Sequence, residues 1–363
     1  MSAAAAARPI VIIGAGTIVH DAHLPAYRKA GFAVAGIFDR AREKAEALAR
    51  QFAIPCVYDS LEAAGREAPL QAVFDVAVPA AALLDVVAGL PDGRCALLQK
   101  PFGESLEEAE RLTALCRRKR LRAAVNFQLR YAPNMLEARR LIAAGEIGEL
   151  HAMEARVNVF MPWQLWSFLA RHPRVEMLYH SIHYLDLFRS FLGEPRGVYA
   201  KTARHPASPG MSATRSAIIL DYGNDVLATI TASHGNRFGG GQQESFIRWE
   251  GTRGMMAARM GVNLNYPAGE PDTLAYGSLD EGGRPAWRDV PLAGNWFPDA
   301  FIGSMASLMR WAEHPDQPAA TNIEDAGKTM ALVEAAYAAS AAGGHAIRPV
   351  AAGSEVDHGT PHH

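Results

Sequence analysis

Four residues of this sequence have side chains suited to handling a proton beside a developing negative charge. Lys100 follows the apolar run CALLQ and is held by Pro101, while Tyr179, His180 and His183 share one helix-forming segment, Met177–Leu192. Oxidising a secondary alcohol takes one group to accept the hydroxyl proton and a cation to meet the alkoxide. A histidine titrates in the right range for the first task, and a lysine suits the second. Helix residues three or four apart share a face, so His183 can stand beside Tyr179 or His180. Two plainer readings stay open: a histidine packed into a helix interface, and a lysine paired with a surface carboxylate. His180 and His183 at i, i+3 could also ligate a metal, but no carboxylate or cysteine cluster accompanies them, and no metal is expected.

Further polar groups gather after the last strand of the first half. Asn126, Gln128 and Arg130 alternate, which puts all three on one side of an extended segment, suited to sugar hydroxyls or to a wet strand edge. Trp163 and Trp166 could offer an aromatic platform for a sugar or aryl ring, or fill core or interface space. The basic run Arg117–Arg122 has no interleaved aromatics and ends a long helix, where cations complement the macrodipole; it reads as a solvated helix end.

The elements that would position these groups follow from hydrophobic patterning. PIVIIG, FAVAGIFD, QAVFDVAVP, CALLQKP and RAAVNF are short apolar runs separated by helix-length amphipathic segments, the pattern of a parallel sheet covered on both faces. Ser105 with Glu108 spells a capping box at the head of one such helix. Where the first strand meets its helix stands Gly14-Ala15-Gly16, which permits a tight turn and close approach of backbone N–H groups to a pyrophosphate. Thr17 and Ile18 continue that cradle, and Val19 occupies the place of the usual third glycine. Asp39 ends the second strand roughly 20 residues on, where a carboxylate can accept ribose hydroxyls and repel a 2′-phosphate, favouring NAD over NADP. Arg40 beside it can fold over adenine or meet that phosphate, so NADP stays possible. The plain alternative for Asp39 is a cap on the helix after it.

After Gln128 the pattern changes. LHAMEARVNVF, RSAIILDYG, DVLATITASHG, QESFIRWEG and RGMMAARMG alternate as antiparallel strands do, interrupted by the Met177–Leu192 helix and closed by helices near Phe297–Glu313 and Ile323–Ala342. The fold class is therefore α/β: a Rossmann dinucleotide-binding domain over 1–127 and an α+β substrate domain with a large, mostly antiparallel sheet over 128–350. Residues 351–363, which include His358, His362 and His363, read as a disordered tail. A length of 363 residues favours two domains, and a formal net charge of -2 gives no pull toward nucleic acid or an anionic membrane. No run approaches the roughly 20 apolar residues that span a bilayer. Cys56, Cys95 and Cys116 form no pair or cluster and read as reduced thiols of a cytoplasmic protein.

The order of these segments resembles the glucose–fructose oxidoreductase/inositol dehydrogenase/rhizopine catabolism (Gfo/Idh/MocA) family from Pro9 to Val350. The resemblance runs through His23-Leu24-Pro25-Ala26, Pro79, Gln99-Lys100-Pro101, Asn126 and Arg130 in NFQLRYAPNM, GEIGELHAMEARV, HSIHYLDLFRSFLGEP and the closing NIEDAGKTMALVEAAYAAS. It implies oxidation or reduction of a sugar, polyol or related alcohol with NAD or NADP, and a homodimer or homotetramer formed through the outer face of the second sheet. It places Lys100 against both substrate and nicotinamide, with Pro79 and Gln99 on the cofactor side, and matches His183 to the family histidine, with Asp186 after it. Two departures stand out. Gln99 replaces the usual glutamate, and Tyr179 stands where the family has an aspartate, leaving His180 or Tyr179 to take over its part.

Overall fold

Four- and five-residue apolar runs bounded by turns can be buried on both faces only within a parallel sheet. In the computed structural model, which describes residues 8–346 apart from Pro267 and Glu281, Ile10–Ile13, Val73–Val76 and Cys95–Leu98 are buried throughout, and Val34–Phe38, at the sheet edge, only partly. Strands β1 (Ile10–Ile13), β2 (Val34–Phe38), β3 (Val73–Val76), β4 (Cys95–Leu98) and β5 (Arg122–Val125) form one parallel sheet in the order β2-β1-β3-β4-β5. Helices α1 (Leu24–Ala30), α2 (Arg42–Phe52), α3 (Leu61–Glu67), α4 (Leu83–Gly89) and α5 (Leu106–Arg118) connect and cover them. The capping box forms at α5: Ser105 Oγ accepts the Glu108 N–H at 3.2 Å, and Glu108 reaches back to the N–H of Glu104 at 2.7 Å.

After α6 (Pro133–Ala143) the chain builds an eight-stranded sheet. Its strands are β6 (Leu150–Asn158), β7 (Gly197–Ala203), β8 (Arg215–Asp221), β9 (Leu227–Ser233), β10 (Glu244–Gly251), β11 (Gly254–Arg259), β12 (Thr273–Leu279) and β13 (Pro285–Asp289). Their order is β13-β12-β11-β10-β6-β9-β8-β7, antiparallel throughout except for the parallel pair β6–β9. Three strands escaped the alternation reading. All five residues of β13 are exposed, so there was no apolar period to read, and β7 and β12 carry small or polar residues on much of both faces. One face of the sheet buries Met153, Val157, Ile230 and Trp249 together with side chains of α6, α7 (Ile182–Leu192) and α9 (Ile323–Ala342). The other face leaves Tyr199, Ile219, Leu227, Leu279 and Trp287 exposed. Helix α8 (Asp299–Glu313), which the sequence pattern groups with the second domain, packs instead on the first: Phe301, Met305, Leu308 and Met309 share a core with Ile10, Ile12 and Leu97. Among the described residues, no helix is long and apolar enough to cross a membrane, and residues 351–363 lie outside the described residues.

The expected extended segment at 126–130 is not extended. Gln128–Tyr131 is a 3₁₀ turn, which rotates Arg130 away from Gln128. Arg130 makes a two-pronged ion pair with Asp186, 2.6 Å at each nitrogen, and reaches Asp325 at 2.6 Å. Arg189 joins through Thr329 and through Asp325 at 3.1 Å. Its guanidinium ties the turn to α7 and α9 instead of lining the cavity described below. Burial opposes its charge, but Asp186 and Asp325 more than offset this and hold the guanidinium above its ordinary pKa. Replacing Arg130 by Met should cost about 3–5 kcal/mol of stability by stranding the Asp186 carboxylate, which is 1% exposed. The check is a urea unfolding midpoint, which Arg130→Met/Asp186→Leu should partly restore. A midpoint equal to wild type, with only KM raised, would return Arg130 to the substrate.

Candidate active site

The reversal of strand order beside β1 leaves a gap between the carboxyl ends of β1 and β3, the place where open α/β sheets bind ligands. Gly14 turns there with φ of 112°, and a Cβ on it would fall 2.4 Å from the Ala77 carbonyl oxygen, so only glycine fits. A Cβ on Gly16 would meet nothing within 4 Å; the backbone there fronts open space. Thr17 and Ile18 are the first helical residues after it, so their N–H groups have no carbonyl behind them. Val19 is fully buried and starts a π-helical turn, Val19–His23, ahead of α1. An open cradle of backbone donors at a helix start fits a pyrophosphate.

Asp39 does two structural tasks that sequence could not show. One oxygen accepts the Ala15 N–H at 2.7 Å, and the other the Ala41 N–H at 2.8 Å. The carboxylate thus welds the end of β2 to the glycine loop and turns the chain toward α2, while the second lone pairs of its half-buried oxygens stay available. Arg40 is exposed beside it.

Gly16, Thr17, Ile18, Pro79, Gln99, Lys100, Gln128, Tyr179, His180 and His183 all line one cavity of about 410 Å³ between the two sheets. A larger groove of about 1010 Å³ lies over α1, lined by Arg28, Lys29 and Gln51, and holds none of these residues. Lys100 Nζ donates to the Tyr179 carbonyl at 2.8 Å. No ion pair involves it among the described residues, so it is not a surface-paired lysine. Burial pulls its pKa down to about 8. Burial, then the Lys100 charge, lowers His183 well below its ordinary value, and the imidazole is neutral. His183 Nδ1 is buried without a partner, and the ring meets Trp296 edge-on at 5.6 Å. His180 is lowered for the same first cause, with His234, Lys100 and His183 adding to it.

Gln99 is placed by a buried chain. Its amide donates to His23 Nε2 at 3.2 Å, His23 Nδ1 meets Asp75 at 2.7 Å, and Tyr27 donates to the same carboxylate at 2.8 Å. One neutral His23 tautomer satisfies every link, with Nδ1–H toward Asp75. The Gln99 oxygen is left to accept the Lys100 N–H at 2.9 Å.

Other expectations need correcting. The helix begins as a π turn, Glu176–Ser181, and Tyr179, His180 and His183 still line one cavity. The Tyr179 hydroxyl points to Glu104 at 3.3 Å, and its ring to His172 and Phe168; its backbone carbonyl, not its side chain, meets Lys100. Asn126 is fully buried with both side-chain polar atoms unpartnered and is not among the cavity residues. Trp163 buttresses His180 and His234 edge-on, at 5.2 and 5.7 Å, rather than forming a platform in the cavity. The Trp166 side chain lies outside the described residues. Asp186, three residues after His183, serves Arg130 instead. Sequence reading missed His234, Trp296 and Asn263, which also line the cavity. His234, a polar residue closing the apolar alternation of β9, was the one legible signal. Among the described residues, no group of three or more His, Cys, Asp or Glu could hold a metal.

The comparisons with known proteins agree with this fold. A family model described as an oxidoreductase family with an NAD-binding Rossmann fold matches residues 8–127, and one for the GFO/IDH/MocA C-terminal domain matches 135–257. The chain is similar to a D-apiose dehydrogenase of Rhizobium rhizogenes, 26% identical over 258 residues, covering 68% of this chain and 70% of that one. Among solved structures, an oxidoreductase from Agrobacterium radiobacter, determined in complex with NAD+, L-tartaric acid and magnesium, superposes with a TM-score of 0.75 at 22% identity, covering 92% of this chain and 96% of that one. A putative myo-inositol dehydrogenase from Sinorhizobium meliloti gives 0.71 at 20%, covering 92% and 98%.

The depressed Lys100 predicts a pH limb. If the ammonium is needed, kcat/KM should fall as pH rises through about 8, because that is where the charge is lost. Gln99→Glu would set a carboxylate beside the ammonium, favour the charged form and move the limb upward. An unmoved limb in that variant would assign it to another group.

Proposed function

The chain belongs to the Gfo/Idh/MocA family of oxidoreductases, and we propose that it is an NAD-dependent dehydrogenase acting on a secondary alcohol of a sugar, polyol or glycoside. The observation that carries this reading is that the glycine loop, Lys100 and His183 share one cavity. Gly14, Gly16, Thr17 and Ile18 would hold the pyrophosphate, Asp39 the adenosine ribose, and Pro79, Gln99 and Lys100 the nicotinamide end. The bound nicotinamide supplies the hydride acceptor.

The chain's own residues handle the proton. His183 is neutral and has room for a proton, but the burial that keeps it neutral also makes it a weak base. Lys100 compensates: its ammonium, held by the Tyr179 carbonyl, stabilises the alkoxide and so acidifies the hydroxyl that His183 deprotonates. Gln128, with its side-chain oxygen unpartnered, and Asn263 offer hydrogen bonds to further hydroxyls. Trp296 and Phe297 supply an apolar wall against a ring face. Relatives named as D-apiose dehydrogenase and D-xylose 1-dehydrogenase support the sugar class. An assembly through the exposed face of the eight-stranded sheet is part of the same reading, supported by its exposed Tyr199, Ile219 and Trp287.

The test is a panel of D-apiose, D-xylose, myo-inositol and methyl glucoside with NAD and with NADP, read by nicotinamide absorbance. Reduction with none of them would overturn the reading. On the accepted alcohol, His183→Ala should lower turnover by roughly two to four orders of magnitude with cofactor affinity nearly kept. A variant with wild-type turnover would remove His183 as the base. Wild type should prefer NAD, and Asp39→Ser should narrow or reverse that preference while weakening both cofactors, since Ala15 loses its charged acceptor. A wild type that favours NADP would show that Asp39 serves the loop alone.

A further inference from the structure

We propose that the cleft contains a second acid–base pair, His234 backed by Glu176, which removes a proton from the carbon next to a bound ketone. The inference rests on the dehydrogenase reading only for where the carbonyl lies, beside Lys100.

His234 follows β9, lines the cavity and is 3% exposed, yet neither ring nitrogen has a hydrogen-bond partner. Behind it stands Glu176, 1% exposed. One Glu176 oxygen accepts the Ser181 hydroxyl at 2.6 Å and lies 3.6 Å from His234 Nε2; the other has no partner. Burying a carboxylate with one donor is costly unless a cation can form against it. A carboxylate set behind an imidazole orients the ring, the arrangement of a carboxylate–imidazole base. The remaining groups around the pair are His180, whose ring lies 4.4 Å from His234, Trp163, Ser216, Tyr184 and Tyr337. None of them is a second cation.

Alcohol oxidation uses Lys100 and His183 and leaves this pair idle. His180 adjoins both centres: its ring lies 4.4 Å from His234, and it lines the same cavity as Lys100 and His183. Within that one cavity, a ketone whose oxygen meets Lys100 has the His180–His234 wall within its lining to receive its neighbouring carbon. There the C–H bond breaks, its proton goes to an imidazole nitrogen of His234, and its electron pair moves through the new C=C bond onto the carbonyl oxygen. The Lys100 ammonium stabilises that enolate. Return of a solvent-exchanged proton restores the ketone, so the step is an isotope exchange with no net redox change.

The experiment supplies the ketone directly. 2-Keto-myo-inositol, D-xylulose and methyl 3-ketoglucoside are each incubated in D₂O with the purified protein, and loss of the proton signals next to the carbonyl is followed by NMR against a protein-free control. At least one should exchange about tenfold or more above the control, and Glu176→Gln should cut that excess about tenfold. Should Glu176→Gln fail to fold, His234→Asn carries the same expectation. Exchange at the control rate with all three ketones, or undiminished exchange in a folded variant, overturns the proposal. Alcohol oxidation is read separately by absorbance: a protein that oxidises the panel without exchanging keeps its function and loses this pair.

Discussion

A lysine ammonium in a low-dielectric cleft, with a backbone carbonyl as its hydrogen-bond partner, is the constraint on which this site depends. Lys100 comes from the end of β4, whereas the carbonyl of Tyr179 belongs to the turn that opens α7, so the bond spans the two sheets' territories. A neutral partner orients an ammonium without quenching it. The charge therefore stays available to an incoming oxygen, and the same lack of compensation draws the pKa down toward the working range.

The carboxylates near the cleft follow from this. Asp75 is screened from Lys100 by His23 and Gln99, Glu104 lies behind the Tyr179 hydroxyl, and Glu176 stands behind His234. A glutamate at 99 could accept from His23 only if that ring carried a second proton, setting an imidazolium between two carboxylates inside the sheet. Gln99 avoids that state and places no second carboxylate between His23 and the lysine.

Sequence revealed most where a single local pattern decides the structure. The β1 run, the tight turn at Gly14 and the Ser105–Glu108 cap needed only neighbours in the chain, and each formed as read. It failed where a distant partner chooses. The alternation of Asn126, Gln128 and Arg130 looked extended, but Asp186 and Asp325, from helices far along the chain, capture Arg130 and favour the 3₁₀ turn. Trp163 could have faced the cavity or propped it, and only the rings of His180 and His234 decide that it props. Helix α8 returns to the first core because the apolar surface beside β1 and β4 needs covering, a need the local sequence of α8 does not express.

The π turn at Glu176–Ser181 explains why one short segment can serve three walls of the cleft. In an α-helix, residues three and four apart stack on one face, so Glu176, Tyr179 and His180 would crowd a single side. The wider turn adds a residue and breaks that coincidence. Glu176 then goes to His234 beneath β9, the Tyr179 carbonyl to Lys100 beyond β4, and His180 to the space between them. The regular helix resumes at Ile182, so His183 and Asp186 share the inner face of α7, with His183 in the cavity and Asp186 one turn deeper on Arg130. That buried ion pair fixes α7 against the turn after β5, and β5 is the neighbour of the strand that carries Lys100. The separation between the lysine and the histidine is therefore set by a charge pair that touches neither.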